Sequence, residues 1–349
     1  MQRLPERDLD EIVAACEDTF RSLRGAHVFV TGGTGFVGSW LVESLLRANE
    51  RLALGARLSV LTRDPARVEA RFARAAETGV LALVAGDVRT FDCDVRPDVV
   101  INAATPTARE TQDPSLVADV IVNGAANVLR FAARSGKIPV LFTSSGAVYG
   151  RQPPSLERIP ETYAGAPDHL DPRFAYHEAK RMAELLHVAA GRASGIVPKI
   201  ARLFAFVGPH LPLDQHFAVG NFVRDALRGG PIVVTGDGTA LRSYLYASDM
   251  TAWLWQILGT GKAERPYNVG SGDAISIAGT AGAVAAAAGL APRDVEVRGL
   301  PVEGALPERY VPNVERAASE LGLRQAVPFE AALGRTIAFC DRNHTARMA

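Results

Sequence analysis

The chain has 349 residues, of which 48% are hydrophobic, so it is long enough for one large domain or two closely associated ones. Its 38 basic and 38 acidic residues balance, and no basic block points to nucleic acid or to an anionic membrane as a partner. Cys16, Cys93 and Cys340 lie far apart, in neither a metal nor a disulfide spacing, which fits a reducing cytoplasm. The charged first ten residues are unlike a signal peptide, and we expect no apolar run long enough to span a membrane. The sequence therefore predicts a cytoplasmic protein with neither a membrane nor a metal site.

The first predicted element is an amphipathic helix over residues 8–24, because apolar side chains recur there at roughly helical spacing. These side chains are Leu9, Ile12, Val13, Cys16, Phe20 and Leu23. The helix precedes the first strand of the nucleotide-binding fold described below. We therefore expect residues 1–24 to form a helical extension that packs on the surface or at a subunit contact.

A glycine-rich turn follows in the segment Val28–Gly38, between a predicted strand and a predicted helix. In a dinucleotide-binding turn the first glycine permits the tight bend, the second lets the backbone approach a pyrophosphate, and the third lets the helix pack closely. The helix N-terminus offers N–H groups and a partial positive charge to the phosphates. A strand, this glycine spacing and a helix together predict a dinucleotide site. The candidate cofactor residues are Gly32, Thr34, Gly35, Phe36, Val37 and Gly38.

The end of the next predicted strand, Leu58–Thr62, bears on the choice between NAD and NADP. NAD-binding folds usually carry an acidic residue there for the ribose hydroxyls. In this chain Thr62 is followed by Arg63 and Asp64. Arg63 could hold a 2′-phosphate, Asp64 could serve a ribose if the turn is shifted, and a solvated Arg–Asp turn is the alternative. We expect NAD(P) as the cofactor, with a slight preference for NADP, and Arg63 as a cofactor-binding residue.

Strands and helices continue to alternate as far as residue 203. The predicted strands are Val80–Ala85, Val99–Ile101, Val140–Thr143 and Val197–Leu203, and the predicted helices are Ser115–Ser135 and Phe174–Ala193. This alternation is typical of a parallel sheet with helices on both faces. Residues 25–203 are therefore predicted to form a Rossmann-like, doubly wound α/β domain.

The pattern becomes less regular from Phe204 onwards. The predicted helices are Phe217–Leu227, Ile275–Ala288, Val314–Leu321 and Phe329–Arg342, and the predicted strands are Ile232–Thr235 and Pro266–Val269. Residues 204–349 are expected to form a smaller, mixed α/β substrate lobe, interleaved with the first domain. The lobe should cover the carboxyl ends of the parallel strands, where such sheets bind ligands.

Tyr176 and Lys180 lie four residues apart on a predicted helix, and therefore on one face. The ordinary pKa of tyrosine is about 10, and a neighbouring ammonium lowers it by favouring the phenolate. Lysine can also bond a nicotinamide ribose, and Ser145 follows a strand at the same edge of the sheet. These three residues are predicted to form a proton-transfer set beside a hydride carrier.

Five motifs in this order resemble the extended short-chain dehydrogenase/reductase family, and more narrowly its nucleotide-sugar epimerases, dehydratases and reductases. They are Thr31–Gly38, Asn102–Ala104, Ser144–Gly150, Tyr176–Lys180, and Gly236–Arg242 with Tyr244–Tyr246. The resemblance extends over roughly residues 25–325 and implies a nucleotide-diphosphate sugar as the substrate. It implies cofactor contacts at Asp87, Val88, Ala103, Ala104, Asn123, Tyr176 and Lys180, and substrate contacts at Thr105, Ser145, Arg242 and Arg309.

Departures from the family pattern narrow the expected reaction. The family's 4,6-dehydratases carry an Asp-Glu pair directly after the catalytic hydroxyl residue, where this chain has Gly146 and Ala147. Its sugar-acid decarboxylases carry a glutamate at the position of Ala147. Neither residue here can transfer a proton, which argues against both reactions. Many relatives have a substrate-contacting asparagine at the position of Ala205 and an aspartate at the position of Asn313. These departures leave the identity of the sugar open.

The favoured interpretation is an NAD(P)-dependent nucleotide-sugar epimerase that acts through a transient keto-sugar. An NADPH-dependent 4-ketoreductase of a nucleotide-linked deoxysugar is the alternative, and a non-catalytic NAD(P)-binding scaffold is disfavoured by the intact set Ser145, Tyr176 and Lys180. The family resemblance further implies a homodimer that pairs through the helices at about residues 115–135 and 174–193.

Overall fold

A computed structural model describes residues 3–106, 112–215 and 217–348 of the chain. The helices are α1 (Glu6–Ala15), α2 (Glu17–Ser22), α3 (Phe36–Leu52), α4 (Pro65–Glu77), α5 (Pro114–Ala133), α6 (Ala175–Ser194), α7 (Ala218–Leu227), α8 (Ala247–Thr260), α9 (Ile277–Ala287), α10 (Glu315–Leu321) and α11 (Phe329–Met348). The strands are β1 (His27–Thr31), β2 (Arg57–Thr62), β3 (Leu81–Ala85), β4 (Val99–Asn102), β5 (Pro139–Ser145), β6 (Val197–Leu203), β7 (Phe206–Val207), β8 (Ile232–Val234), β9 (Leu241–Arg242), β10 (Leu245–Tyr246), β11 (Pro266–Val269), β12 (Ile275–Ser276), β13 (Val295–Val297) and β14 (Arg309–Tyr310).

A seven-stranded sheet in the order β11-β6-β5-β4-β1-β2-β3 forms the centre of the molecule. Each neighbouring pair in it runs parallel. The strand order reverses between β1 and β4, where Thr31 lies in register with Asn102. Open α/β sheets bind ligands beyond the carboxyl ends of the strands at such a reversal. The predicted Rossmann-like, doubly wound fold is confirmed.

Helices cover both faces of this sheet. On one face α5 packs along α6, and Val117, Ile121 and Ala125 meet Ala179 and Ala183 against the sheet. On the other face α3 and α8 share a core with the strands. Burial on both faces explains the apolar runs in the central strands, such as Val28–Val30 in β1 and Val99–Ile101 in β4.

The N-terminal extension lies on the α3 and α8 side, and it contains two helices where one was predicted. The break falls at Cys16, whose φ of −122° is not helical and whose thiol donates to the Ala252 carbonyl oxygen at 3.3 Å. Asp8 is buried, accepts a hydrogen bond from the Tyr246 hydroxyl at 2.6 Å and is paired with Arg335 at 2.7 Å. The extension is therefore part of the core of this chain.

The second part of the chain contributes to both regions. β11 and α8 complete the central sheet and its helix layer, while α7, α9 and the first part of α11 share a second core above it. That second region carries short strands, including the three-stranded sheet β12-β9-β14. This sheet brings two candidate arginines near the carboxyl edge of the central sheet.

Helix α5 departs from the expectation that no segment could span a membrane. Among the described helices, it alone is long and apolar enough to cross a membrane, with a mean hydropathy of 1.4. Packing explains this composition, because 56% of its apolar stretch is buried inside the protein. Core helices of globular proteins pass the same test.

Candidate functional site

The glycine turn has the geometry that a dinucleotide requires. Gly32 has a φ of +69°, and a Cβ there would overlap the carbonyl oxygen of Ala103. A Cβ on Gly38 would overlap the Gly32 carbonyl oxygen, so α3 packs directly on the turn. At Gly35, by contrast, the nearest atom to a Cβ would be 3.4 Å away, which leaves the approach to the backbone open.

The start of α3 presents backbone donors beside that turn. No side chain of the described residues caps the helix, whose first residue is Phe36. The first N–H groups of an α-helix have no partner within the helix, so those of Phe36 and Val37 are available to an anion. Thr34 is exposed beside them. An open turn with free helical donors fits the diphosphate of a dinucleotide cofactor.

The end of β4 lies against the turn. The Thr31 hydroxyl donates to the Asn102 side-chain oxygen at 3.0 Å and accepts from the Ala104 backbone N–H at 3.2 Å. This holds Ala103 and Ala104 beside Gly32. Their contact with the cofactor stays a prediction.

Opposite charges come together after the carboxyl ends of β2 and β3, where Arg63 and Asp87 are predicted cofactor contacts. Arg63 lies close enough to Asp87 to help lower the pKa of that carboxyl group, and the larger contribution comes from hydrogen bonds with Arg89. The pKa of Asp87 falls to about 2, since Arg89 donates from Nε and Nη2, both at 2.8 Å. Asp64 takes part in the local turn, where its N–H donates to the Thr62 hydroxyl at 3.1 Å.

Asn123 of α5 is connected to the same cluster of charges. Its side-chain amide donates to Asp119 at 2.6 Å, and Asp119 pairs with Arg89, also at 2.6 Å. Val88 packs against the α5 backbone, where a Cβ on Gly124 would lie 2.9 Å from its methyl carbon. The cofactor contacts inferred for these residues remain predictions.

Ser145 and Tyr176 come together at the carboxyl end of β5. Ser145 is buried, and its hydroxyl accepts from the Ala147 backbone N–H at 3.1 Å, which fixes the side-chain rotamer. The Ser145 and Thr105 hydroxyl groups lie close enough to the Tyr176 hydroxyl to favour its phenolate form. Burial nevertheless raises the pKa of Tyr176, and the two neighbouring hydroxyl groups lower it only in part.

The position of Lys180 corrects the expectation that its ammonium lowers the Tyr176 pKa. Its Nζ atom donates to the Thr143 carbonyl oxygen at 2.8 Å and lies 5.8 Å from the centre of the Tyr176 ring. Desolvation lowers the pKa of Lys180 itself to about 8. The spacing of four residues places both side chains on one face, but burial has the larger effect on the tyrosine.

Tyr310 is a site residue that the sequence reasoning did not identify. Ser145 lies close enough to the Tyr310 hydroxyl to affect its titration, and a Cβ on Gly146 would lie 2.7 Å from that hydroxyl and 2.7 Å from the Phe204 ring. The two aromatic side chains therefore fill the space beside Gly146. The position of Tyr310 directly after the candidate Arg309 was the available signal.

Arg242 and Arg309 lie on the paired strands β9 and β14, where Arg309 is in register with Leu241. Arg242 donates to the Glu308 carboxylate at 2.8 Å and to the Leu241 carbonyl oxygen at 2.9 Å. The Nε atom of Arg309 is buried without a hydrogen-bond partner among the described residues. Such a donor is costly unless a ligand satisfies it, so it fits an anionic group.

The arrangement combines a hydroxyl group pair, a buried amine and two guanidinium groups. The described residues contain no cluster of His, Cys, Asp and Glu side chains able to hold a metal ion. Ser145 is followed by Gly146 and Ala147, neither of which carries an ionisable side chain. The site can move a proton at a hydroxyl group and hold an anion nearby.

Comparisons with known proteins agree with this geometry. The model of the NAD-dependent epimerase/dehydratase family matches residues 28–270. UDP-glucuronic acid decarboxylase 6 of Arabidopsis thaliana is 30% identical over 309 residues, which cover 86% of this chain and 86% of that protein.

Two solved structures share the fold. The dTDP-glucose 4,6-dehydratase DesIV of Streptomyces venezuelae, with NAD bound, has a TM-score of 0.76 and 25% identity over 92% of this chain and 98% of its own. UDP-glucose 4-epimerase of Thermotoga maritima has a TM-score of 0.75 and 22% identity over 91% and 99% of the two chains. The chain belongs to the NAD-dependent epimerase/dehydratase family, and the resemblance found in its motifs is confirmed.

Proposed function

We propose that this enzyme is an NAD(P)-dependent nucleotide-sugar epimerase that works through a transient keto-sugar. The observation that carries the proposal is the pairing of Ser145 with Tyr176 at a site whose next two positions, Gly146 and Ala147, have no acidic group. Such a site can oxidise and reduce a hydroxyl-bearing carbon. It has no carboxylate at these positions to assist elimination of water or loss of a carboxyl group.

The glycine turn and the start of α3 would hold the cofactor's diphosphate, and Ala103 and Ala104 would line the groove. A nicotinamide dinucleotide bound there supplies the acceptor and donor of hydride. The polypeptide supplies the proton transfer.

Tyr176 would take the proton of the reacting sugar hydroxyl and later return it. Ser145 would hold the same oxygen by a hydrogen bond, in an orientation fixed by the Ala147 N–H. Preorganised donors of this kind stabilise the charge that develops on an oxygen. Thr105, which lies near the Tyr176 hydroxyl, would contact the sugar at the same point.

Arg242 and Arg309 would bind the diphosphate of the nucleotide sugar. Arginine matches phosphate oxygens with paired charge-assisted hydrogen bonds. The unsatisfied Nε atom of Arg309 and the reach of Arg242 from the adjacent strand support this assignment. On binding, the phosphate would compete with Glu308 for Arg242.

A 4-ketoreductase of a nucleotide-linked deoxysugar is the second candidate, and the raised pKa of Tyr176 favours it. A tyrosine that stays protonated is a ready proton donor to a ketone, as a reductase requires. Arg63 near the end of β2 favours NADPH in that reaction.

Product analysis by NMR separates these reactions. The protein is incubated with UDP-glucose, UDP-N-acetylglucosamine, UDP-glucuronic acid and dTDP-4-keto-6-deoxyglucose, each with and without NADPH. Inversion at a sugar carbon without consumption of NADPH supports the epimerase, and NADPH oxidation with the ketosugar supports the reductase. Release of carbon dioxide from UDP-glucuronic acid would contradict both. Tyr176→Phe serves as the catalytic control.

A homodimer through α5 and α6 is the assembly that we propose. Met182 and Leu185 are 46% and 61% exposed on α6, so an apolar surface is available beside α5. Light scattering should report twice the monomer mass at micromolar concentration, and Leu185→Asp should reduce that mass. A monomeric wild-type protein would contradict the proposal.

A further inference from the structure

Two aromatic side chains close the space beside Ser145. A Cβ on Gly146 would lie 2.7 Å from Cζ and 2.8 Å from Cε1 of Phe204, and 2.7 Å from the Tyr310 hydroxyl oxygen. Real Cβ atoms essentially never approach another atom closer than 3.0 Å. The φ of Gly146 is not in the left-handed region, so its backbone would accept a residue with a side chain. The neighbouring rings, and not the backbone, therefore exclude a side chain at this position.

Phe204 has no room to move away from Gly146. Phe204 is buried, and the centre of its ring lies 4.7 Å from that of Tyr310. On the other side of Phe204, a Cβ on Gly270 would lie 3.1 Å from the Phe204 Cβ atom. The Phe204 backbone N–H donates to the Val269 carbonyl oxygen at 3.0 Å. Phe204 is therefore confined between two glycines.

Tyr310 is fixed through its neighbours in the chain. The Leu241 N–H donates to the Glu308 carbonyl oxygen at 2.7 Å, and the Val311 N–H donates to the Gln152 side-chain oxygen at 2.9 Å. Hydrogen bonds on both sides of Tyr310 thus hold the strand that carries its ring. Burial raises the pKa of the Tyr310 hydroxyl, so this group stays protonated at neutral pH and cannot act as a base.

The content of this space bears on the chemistry beside Ser145. When a sugar hydroxyl has been oxidised to a ketone, the hydrogen atoms on the neighbouring carbons become acidic, and a nearby carboxylate could remove one. A side chain at position 146 would lie directly beside the residue that is proposed to hold the reacting oxygen. The space instead contains ring carbon atoms and a protonated hydroxyl group.

We propose that Phe204 and Tyr310 are specificity-determining residues, which exclude from the site any side chain able to remove a proton from a sugar carbon. The role rests on the proposed function in taking Ser145 and Tyr176 as the reacting centre. It limits the enzyme to hydride transfer and to proton transfer at a hydroxyl oxygen.

A comparison of stabilities tests the exclusion without any substrate. Gly146→Ala should lower the melting temperature by a few degrees, because an extra group in a filled space destabilises the folded protein. In the background Phe204→Leu with Tyr310→Phe, which removes the three contacting atoms, the same change should lower it by clearly less. Gly282→Ala is the matched control, because a Cβ there would have no atom of the described residues within 4 Å. An equal cost of Gly146→Ala in both backgrounds would overturn the proposal.

Hydrogen exchange at carbon tests the specificity. Each protein is incubated in deuterium oxide with dTDP-4-keto-6-deoxyglucose and oxidised cofactor, which leaves the ketone intact, and NMR follows the protons next to the ketone. Gly146→Asp should promote exchange only in the F204L/Y310F background, where the carboxylate would take a proton from carbon and a deuteron from solvent would replace it. Wild type, the background alone and Gly146→Asp alone should match the rate without protein. Exchange promoted by the wild type, or none in the triple variant, would contradict the proposed role.

If Phe204→Leu prevents folding, Tyr310→Phe alone is the background, since it removes one contacting atom and keeps both rings. Gly146→Ala should then cost less than in the wild type, and an undiminished cost would again refute the exclusion. Failure of the proposed function would appear differently, as a wild type that converts none of the sugar nucleotides while the stability comparison keeps its outcome.

Discussion

The two halves of the candidate site differ in how the fold supports them. The hydroxyl half, Ser145, Tyr176 and Lys180, stands on a seven-residue strand of the central sheet and on a twenty-residue helix. The arginine half, Arg242 and Arg309, stands on strands of two residues each. The groups proposed to transfer protons are thus fixed by deep packing, whereas the groups proposed to hold an anion occupy short elements at the edge of the second core.

The electrostatic environments differ in the same way. In the hydroxyl half, burial is the largest influence and moves both the Tyr176 and Lys180 pKa values towards the neutral forms. In the arginine half the guanidinium group of Arg242 is 25% exposed and pairs with a half-exposed Glu308. The difference teaches that the first half should respond to mutation chiefly in kcat and the second chiefly in substrate affinity.

The sharpest test of the hydroxyl half is Tyr176→Phe, which removes one oxygen and keeps the ring. We expect turnover to fall by about 10²–10⁴-fold, the usual contribution of a general acid–base group. Cofactor affinity, measured by calorimetry, and the melting temperature should stay close to wild type. Turnover within a few-fold of wild type would remove Tyr176 from the mechanism.

In the arginine half, Arg242→Gln should raise KM for the nucleotide sugar by roughly tenfold to a hundredfold with a smaller change in kcat. The loss corresponds to about 1.5–3 kcal/mol for hydrogen bonds to a charged group. Glu308→Gln is the matched control, because it frees the same guanidinium and should leave KM unchanged or lower it. If Arg242→Gln instead lowers kcat at constant KM, the expected difference between the two halves of the site is wrong.

Arg63→Ala tests the predicted contact between Arg63 and the 2′-phosphate of the cofactor. NADP(H) affinity should fall by about an order of magnitude or more, because the guanidinium would bond the 2′-phosphate, while NAD(H) affinity stays nearly constant. Calorimetric titration of both cofactors into both proteins measures the effect. Equal losses of affinity for the two cofactors would indicate that Arg63 interacts with Asp87 and not with a 2′-phosphate. Asp64 would then become the candidate for the ribose contact.

The smallest expected effect is that of Tyr310→Phe. A neutral hydrogen bond contributes about 0.5–1.5 kcal/mol, so loss of the contact with Ser145 should reduce kcat by about tenfold at most. The ring would still fill the space beside Gly146. A loss as large as that of Tyr176→Phe would show that two tyrosines share the proton transfer.

The sequence predicted the sheet and its turn because glycine spacing and apolar strands are local signals. It did not predict α4 or α8, and it assigned no strands at Leu241–Arg242 and Arg309–Tyr310. Those strands have two residues each, and they pair with segments more than thirty residues away in the chain. Their formation depends on tertiary contacts, which no local pattern encodes.

The residues of the hydroxyl half were identifiable, but their energetics were not. The spacing of Tyr176 and Lys180 gave the shared face, as the structure has it. The degree of desolvation, and the hydrogen bond from Lys180 to the Thr143 carbonyl, depend on how α6 lies against β5. Glu184 has the same spacing again, yet its partner Arg202 comes from a strand that only the fold brings near.

The buried link between Asp8, Tyr246 and Arg335 has a consequence for the order of folding. The hydrogen bonds of Asp8 span 238 and 327 residues of sequence. During synthesis Asp8 of α1 is made 327 residues before its partner Arg335 of α11. Long-range contacts form late and slow the search for the native state. Helix α1 therefore lacks these partners, and is open to misassembly or to a chaperone, until α11 has been translated.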